Sequence, residues 1–143
     1  MTCYVIQVMK QTTAPYINFQ GRAREAMEFY HGVFGGKLSL YAMDETGKPG
    51  EAKPGDAIMY ARLDAEDVRI IGSDGNPKFP VTRGDSIAIV LMSTDRSAME
   101  AAYDKLAEGG QAKGPIRDAP WGGAAGWLQD KFGINWNIDV ESA

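Results

Sequence analysis

Apolar residues recur at three- and four-residue steps between Ala23 and Phe34: Ala23, Ala26, Met27, Tyr30, Val33 and Phe34 form one stripe. That period sets them on one face of a helix, and Gly35-Gly36 is a stop signal for it. Ahead of the helix, Pro15 to Gln20 carries the β-formers Tyr16, Ile17 and Phe19 and predicts a short strand. Behind it, Lys37 to Met43 predicts a second strand. Asp44 to Asp56 contains Gly47, Pro49, Gly50, Pro54 and Gly55 and reads as a long loop of the kind that serves as a lid. Ala57 to Leu63 and Val68 to Ser73 read as strands, with Asp64-Ala65-Glu66-Asp67 as the hairpin turn between them.

The pattern then repeats. Asp74 to Asp85, with Gly75, Pro77, Pro80 and Gly84, is turn-rich and marks a boundary. Ser86 to Met92 is a run of apolar β-formers and predicts a buried strand. Asp95 to Glu108 predicts a helix with Ala98, Met99, Ala102, Tyr103 and Leu106 inward, capped by Ser93, Thr94 or Asp95 and ended by Gly109-Gly110. Strands are expected near Ala112 to Arg117, Ala125 to Gln129 and Asn135 to Val140. The order is β-α-β-β-β twice, and Arg24-Glu25-Ala26-Met27-Glu28 parallels Arg96-Ser97-Ala98-Met99-Glu100. An internal repeat constrains the whole architecture. The expectation is one α+β domain over 1–143, with a first module over about 14–74 and a second over about 85–140. Residues 1–13 read as an extra strand, over Cys3 to Met9, or as a ragged start.

Composition narrows the partners. With 143 residues, 44% hydrophobic and 24% charged, the chain can bury a core without staples. A net charge of -4, from 19 acids and 15 bases, provides no basic face for nucleic acid. Cys3 is the single cysteine, so no internal disulfide and no Cys-x-x-Cys motif exist, which fits a reducing cytoplasm. The apolar start is too short to span a bilayer and lacks the plan of a signal peptide.

Five stretches carry a family resemblance. Pro15-Tyr16-Ile17-Asn18-Phe19, Arg24-Glu25-Ala26-Met27-Glu28-Phe29-Tyr30 and Val33-Phe34-Gly35-Gly36 resemble the opening of PhnB-like proteins. Gly72-Ser73-Asp74-Gly75 and the close, Trp127-Leu128-Gln129-Asp130-Lys131-Phe132-Gly133-Ile134-Asn135-Trp136, are similar too. The chain is thereby identified as a member of the vicinal oxygen chelate (glyoxalase/bleomycin resistance/dioxygenase) superfamily, in its PhnB-like branch. The resemblance implies two βαβββ modules whose mixed sheets curl around a concave pocket, and a homodimer. In metal-dependent relatives that pocket holds a divalent ion on His and Glu side chains from the first and last strand of each module. Bleomycin-resistance proteins use the same cavity without metal, to sequester a drug.

The residues at those positions point away from metal. They fall near Pro15 or Tyr16, Ile71 or Ser73, Ser86 and Asn137, and none is a His or a carboxylate. Asp74, Asp85 and Asp139 are the nearest acids. His31, the only histidine, reads as a helix-surface residue near a helix C-terminus rather than a base or ligand. The Gly-Gly pairs end helices, whereas phosphate loops open them. Gly122-Gly123-Ala124-Ala125-Gly126 reads as a flexible loop. PhnB-like sequences have carried a methyltransferase label, but no nucleotide-type glycine loop supports a methyl-donor site here. No cofactor is therefore expected and no catalytic residue is assigned. The expected ligand set is Tyr16, Asn18, Ser73, Ser86, Trp121, Trp127 and Asn137, an aromatic pocket with polar handles. Asn137 is expected to point into that pocket, with its amide satisfied by a ligand, a water or Ser86. Two functions stay open: small-molecule binding without metal, or a metal-dependent lyase, isomerase or dioxygenase of the glyoxalase type.

Overall fold

The computed structural model describes residues 12–142. The Cys3 to Met9 segment lies outside the described residues. The first module runs β1 (Tyr16–Asn18), α1 (Ala23–Phe34), β2 (Lys37–Met43), β3 (Pro49–Glu51), β4 (Tyr60–Asp64) and β5 (Arg69–Ser73). The second runs β6 (Ile89–Ser93), α2 (Arg96–Ala107), β7 (Gln111–Asp118), β8 (Ala124–Gln129) and β9 (Asn135–Val140). The first sheet has the order β1-β5-β4-β2-β3 and the second β6-β9-β8-β7. Neither closes on itself. In each, the first strand of the module pairs in parallel with the last, β1 with β5 and β6 with β9, and the remaining pairs are antiparallel.

Period decides which side chains are covered. On α1 the stripe Ala23, Ala26, Met27 and Tyr30 is buried against the first sheet. On α2 Tyr103 and Leu106 are buried, while Ala98, expected inward, is exposed. Each helix covers one sheet face, so strand residues alternate between core and surface. In β9, Trp136, Ile138 and Val140 are buried and Asn137 between them is exposed. A single apolar core links both modules through Phe19, Tyr30, Leu128, Phe132 and Trp136. Tyr30 and Trp136 pack with ring centroids 5.8 Å apart, and Tyr30 and Phe132 at 6.1 Å. Gly36 is obligatory: a Cβ there would lie 2.4 Å from the Asp64 carbonyl oxygen, and its φ is 84°.

Three expectations need correction. Asp44 to Asp56 is no open lid, because β3 pairs with β2 in a hairpin. Asp44 Oδ1 accepts from the backbone N–H groups of Thr46 and Lys48 at 2.8 and 2.9 Å, which turns the chain back early. Pro49 is tolerated there because β3 is an edge strand. The strand expected over Ser86 to Met92 begins at Ile89 and is not fully buried: Val90 and Met92 are exposed on its helix-free side. The strand before β5 starts at Tyr60, since the Ile58 N–H is taken by the Asp74 carboxylate instead of a sheet partner.

Asp74 also explains how α1 starts. The preceding residue, Arg22, makes no side-chain cap. Asp74, one residue past β5, supplies it from across the sheet: Oδ1 accepts from Ala23 N–H at 2.9 Å and Oδ2 from Ile58 N–H at 2.7 Å. An anion at a helix N-terminus satisfies orphan donors and the helix dipole together.

Candidate functional site

The expected site residues divide into separate groups. Parallel pairing sets Asn18 beside Ser73 and Tyr16 beside Ile71. The Tyr16 hydroxyl donates to Ser73 Oγ at 2.7 Å, and Ser73 Oγ also accepts from Gly75 N–H at 3.2 Å. Asn18 Oδ1 accepts from Gln20 N–H at 2.9 Å, which leaves its amide NH2 as a donor without a protein partner among the described residues. Ser73 is buried, Asn18 half-buried, and Tyr16 is 61% exposed. Tyr16, Asn18 and Ser73 thus form one small polar cluster.

Trp127 and Asn137 form a second group. They are direct partners across β8 and β9, on the helix-free face of the second sheet. The Trp127 ring lies over Gly114 of β7, where a Cβ would meet it at 2.4 Å. Trp127 is 54% exposed and Asn137 is exposed as well. This corrects the expected buried amide: with Trp136 and Ile138 drawn into the core, Asn137 opens to solvent and needs no protein partner. Ser86 is exposed in the linker before β6 and makes no side-chain hydrogen bond to Asn137 among the described residues. Trp121 is 82% exposed in the turn between β7 and β8.

A cleft of about 630 Å³ lies between the modules. Tyr16, Ile17 and Asn18 of β1 form one wall, Val81, Arg83, Gly84 and Ile87 to Ile89 a second, and Gly133, Ile134 and Asn135 a third. Tyr16 and Asn18 stood in the expected ligand set; Arg83 was missed because it lies in an aperiodic linker, Ile87 because it read as part of a buried strand, and Ile134 because it carried no ligand signal. A neighbouring cavity of about 450 Å³, with Pro77 and Pro80 in its lining, shares Asn18 and Val81 with the cleft.

Beneath the cleft lies a polar centre that sequence reasoning also missed. Asp130, buried, accepts through Oδ2 from the Tyr30 hydroxyl and from Trp136 Nε1, and through Oδ1 from Phe132 and Ile134 N–H. Arg83 Nη1 donates to the Phe132 carbonyl of the same turn. Burial first, then the charge and hydrogen bond of Asp130, hold the Tyr30 phenol far above the ordinary tyrosine range. Tyr30 is therefore a fixed donor, not an acid or base. The signal available in the sequence was Asp130 ahead of Lys131-Phe132-Gly133, an acid able to bond its own turn.

The donor set does not fit the divalent ion that this fold carries in metal-dependent relatives. The strands in question present Tyr16 and Asn18, Ile71 and Ser73, Val90 and Met92, and Asn137 and Asp139 on the helix-free faces. One carboxylate and no imidazole stand among them. Asp74, the acid nearest the first-module positions, has both oxygens engaged by backbone N–H groups. Among the described residues no three His, Cys, Asp or Glu side chains come together as a metal site.

The paired βαβββ modules define the fold class: solved structures with this architecture include a member of the glyoxalase/bleomycin resistance protein/dioxygenase superfamily and a glyoxalase-related enzyme. Within that class the chain belongs to the PhnB-like family described as 3-demethylubiquinone-9 3-methyltransferase, whose model matches residues 11–139. Protein PA1353 from Pseudomonas aeruginosa is 30% identical, with a TM-score of 0.79, over 94% of this chain and 100% of that one. A Bacillus cereus structure described as a putative 3-demethylubiquinone-9 3-methyltransferase, PhnB protein, is 21% identical, with a TM-score of 0.70, over 90% and 98%. YjdN from Escherichia coli K12 is 26% identical over 139 residues, 89% of this chain and 93% of its own.

Proposed function

We propose that this protein binds a small organic molecule in the cleft between its two modules, without a metal ion. The observation that carries the reading is the cleft itself: about 630 Å³, with apolar Ile17, Ile87, Ile89 and Ile134 and the polar rim of Tyr16 and Asn18. That volume lies in the usual range of ligand pockets, and a few polar groups on an apolar wall are what orient a small molecule. Ile87 is 82% exposed, an uncovered apolar side chain at the mouth. The rival reading, a metal-dependent lyase, isomerase or dioxygenase, asks for ligands that these strands lack. The family description names a demethylubiquinone, so hydroxylated aromatics belong among the compounds tested.

The same reading takes the protein to be a homodimer. Met43, Val90, Met92 and Trp127 are exposed on helix-free sheet faces, and apolar surface of that kind favours burial against a second copy. A cytoplasmic protein fits the single cysteine. No described helix is long and apolar enough to cross a membrane.

The test is a thermal-shift screen of chelator-treated protein against phenols, quinols and small hydroxylated acids. The reading expects saturable stabilisation by at least one class, and its loss in Ala88→Trp, which fills the cleft. Stabilisation that requires added divalent metal would favour the rival.

A further inference from the structure

We propose that the inter-module cleft selects an organic anion and that Arg83 reads its charge. This rests on the binding reading above and names the ligand class for the same cleft. Among the described residues that line the cleft, Arg83 is the only charged one; the others are apolar, or neutral and polar like Tyr16, Asn18 and Asn135. The chain as a whole carries a net charge of -4, so its surface does not favour anions in general. The described lining holds no acid, and the Asp130 carboxylate beneath it is taken up by four donors, so a lone cation in a largely apolar recess reverses that locally.

The guanidinium is held but not used up. Nη1 donates to the Phe132 carbonyl, which fixes the head at the Gly133 side of the cleft. That is the one hydrogen bond Arg83 makes among the described residues, and a guanidinium carries five N–H donors in a rigid fork. None of the ion pairs among the described residues includes Arg83. Met1 to Gln11, outside the described residues, contains no Asp or Glu that would neutralise it. The remaining donors match two oxygens of a carboxylate, sulfonate or phosphonate, while Ile87, Ile89 and Ile134 receive an apolar body.

A different role for Arg83 is purely structural: it braces the turn over buried Asp130. Two probes separate the roles. Anilinonaphthalene sulfonate has an apolar ring system and one anionic group; N-phenyl-1-naphthylamine has the same rings without the sulfonate. Fluorescence titration of wild type is expected to give saturable binding of both. Arg83→Gln should weaken the sulfonate by about tenfold or more and leave the uncharged probe within about twofold. Arg83→Lys should lie between. Ala88→Trp should weaken both probes. Equal sulfonate affinity in folded Arg83→Gln, or equal loss of both probes, overturns the charge-reading role while leaving binding intact. If neither probe binds wild type, or Ala88→Trp changes neither, the binding reading falls as well.

Discussion

The Tyr30 hydroxyl, on the helix of the first module, donates to Asp130 Oδ2 of the second at 2.5 Å, bridging 100 residues of chain. The bond is buried, and the same carboxylate also holds Trp136 Nε1 at 2.9 Å and two backbone N–H groups. Asp130→Ala would leave four donors without an acceptor, three of them in buried bonds. A loss of about 3 kcal/mol or more is expected, against about 1–2 kcal/mol for Tyr30→Phe, which removes one donor. Urea denaturation measures both. Equal small effects would mean that the centre rearranges or hydrates at little cost.

The same pair sets an alkaline limit. Burial and Asp130 raise the folded-state pKa of Tyr30 above its ordinary value of about 10. The folded state then keeps a proton that the unfolded chain has released. Stability from this group is complete below pH of about 10 and falls as pH rises beyond it. Tyr30→Phe should flatten that alkaline decline relative to wild type. A wild-type stability curve that stays level between about pH 9 and 11 would contradict this.

Asp74 joins α1, the end of β5 and the segment before β4 through one side chain. Asp74→Ala should cost about 2–3 kcal/mol, since a cap and a second buried N–H are lost together. Asp74→Asn keeps an acceptor for one of them and should cost about half as much. If Asp74 instead held a metal, chelator treatment of wild type would reproduce part of the Asp74→Ala loss, and the account expects no change.

Trp127 rests on Gly114 because glycine leaves the space. Gly114→Ala places a Cβ about where the indole stands, 2.4 Å from its Cε3. The expected result is a shift in Trp127 fluorescence and a loss of about 1 kcal/mol or more, both relieved in the Trp127→Ala background. A loss unchanged by Trp127→Ala would trace the effect to the backbone of β7 and not to the ring.

Helices were the most legible elements. The stripe from Ala23 to Phe34 and the Gly35-Gly36 stop state both the period and the end of α1, and the bounds follow. β3 was not legible, because its hairpin depends on three bonds to the Asp44 carboxylate, while Gly and Pro there signal only a break. β6 misled for another reason: an apolar run implies burial on two faces, yet a helix covers only one. At the site, Tyr16 and Ser73 fell at positions that the family resemblance supplies and Asn18 read as a polar handle; only the parallel pairing of β1 with β5 sets the three together. Asn137 was expected to point into the pocket and instead opens to solvent, since exposure depends on what covers the sheet. Arg83 lies in an aperiodic linker, where position becomes meaningful only once Phe132 and the cleft are brought to it.

The central claim, a metal-free ligand cleft between the modules, is tested most directly by residue-resolved amide NMR. Chelator-treated, isotope-labelled protein is titrated with anilinonaphthalene sulfonate. The account predicts saturable shifts concentrated at Tyr16, Ile17 and Asn18, at Val81 and Arg83 to Ile89, and at Gly133 to Asn135. Shifts confined to Trp127 and the outer face of the second sheet, or appearing only after a divalent metal is added, would contradict it.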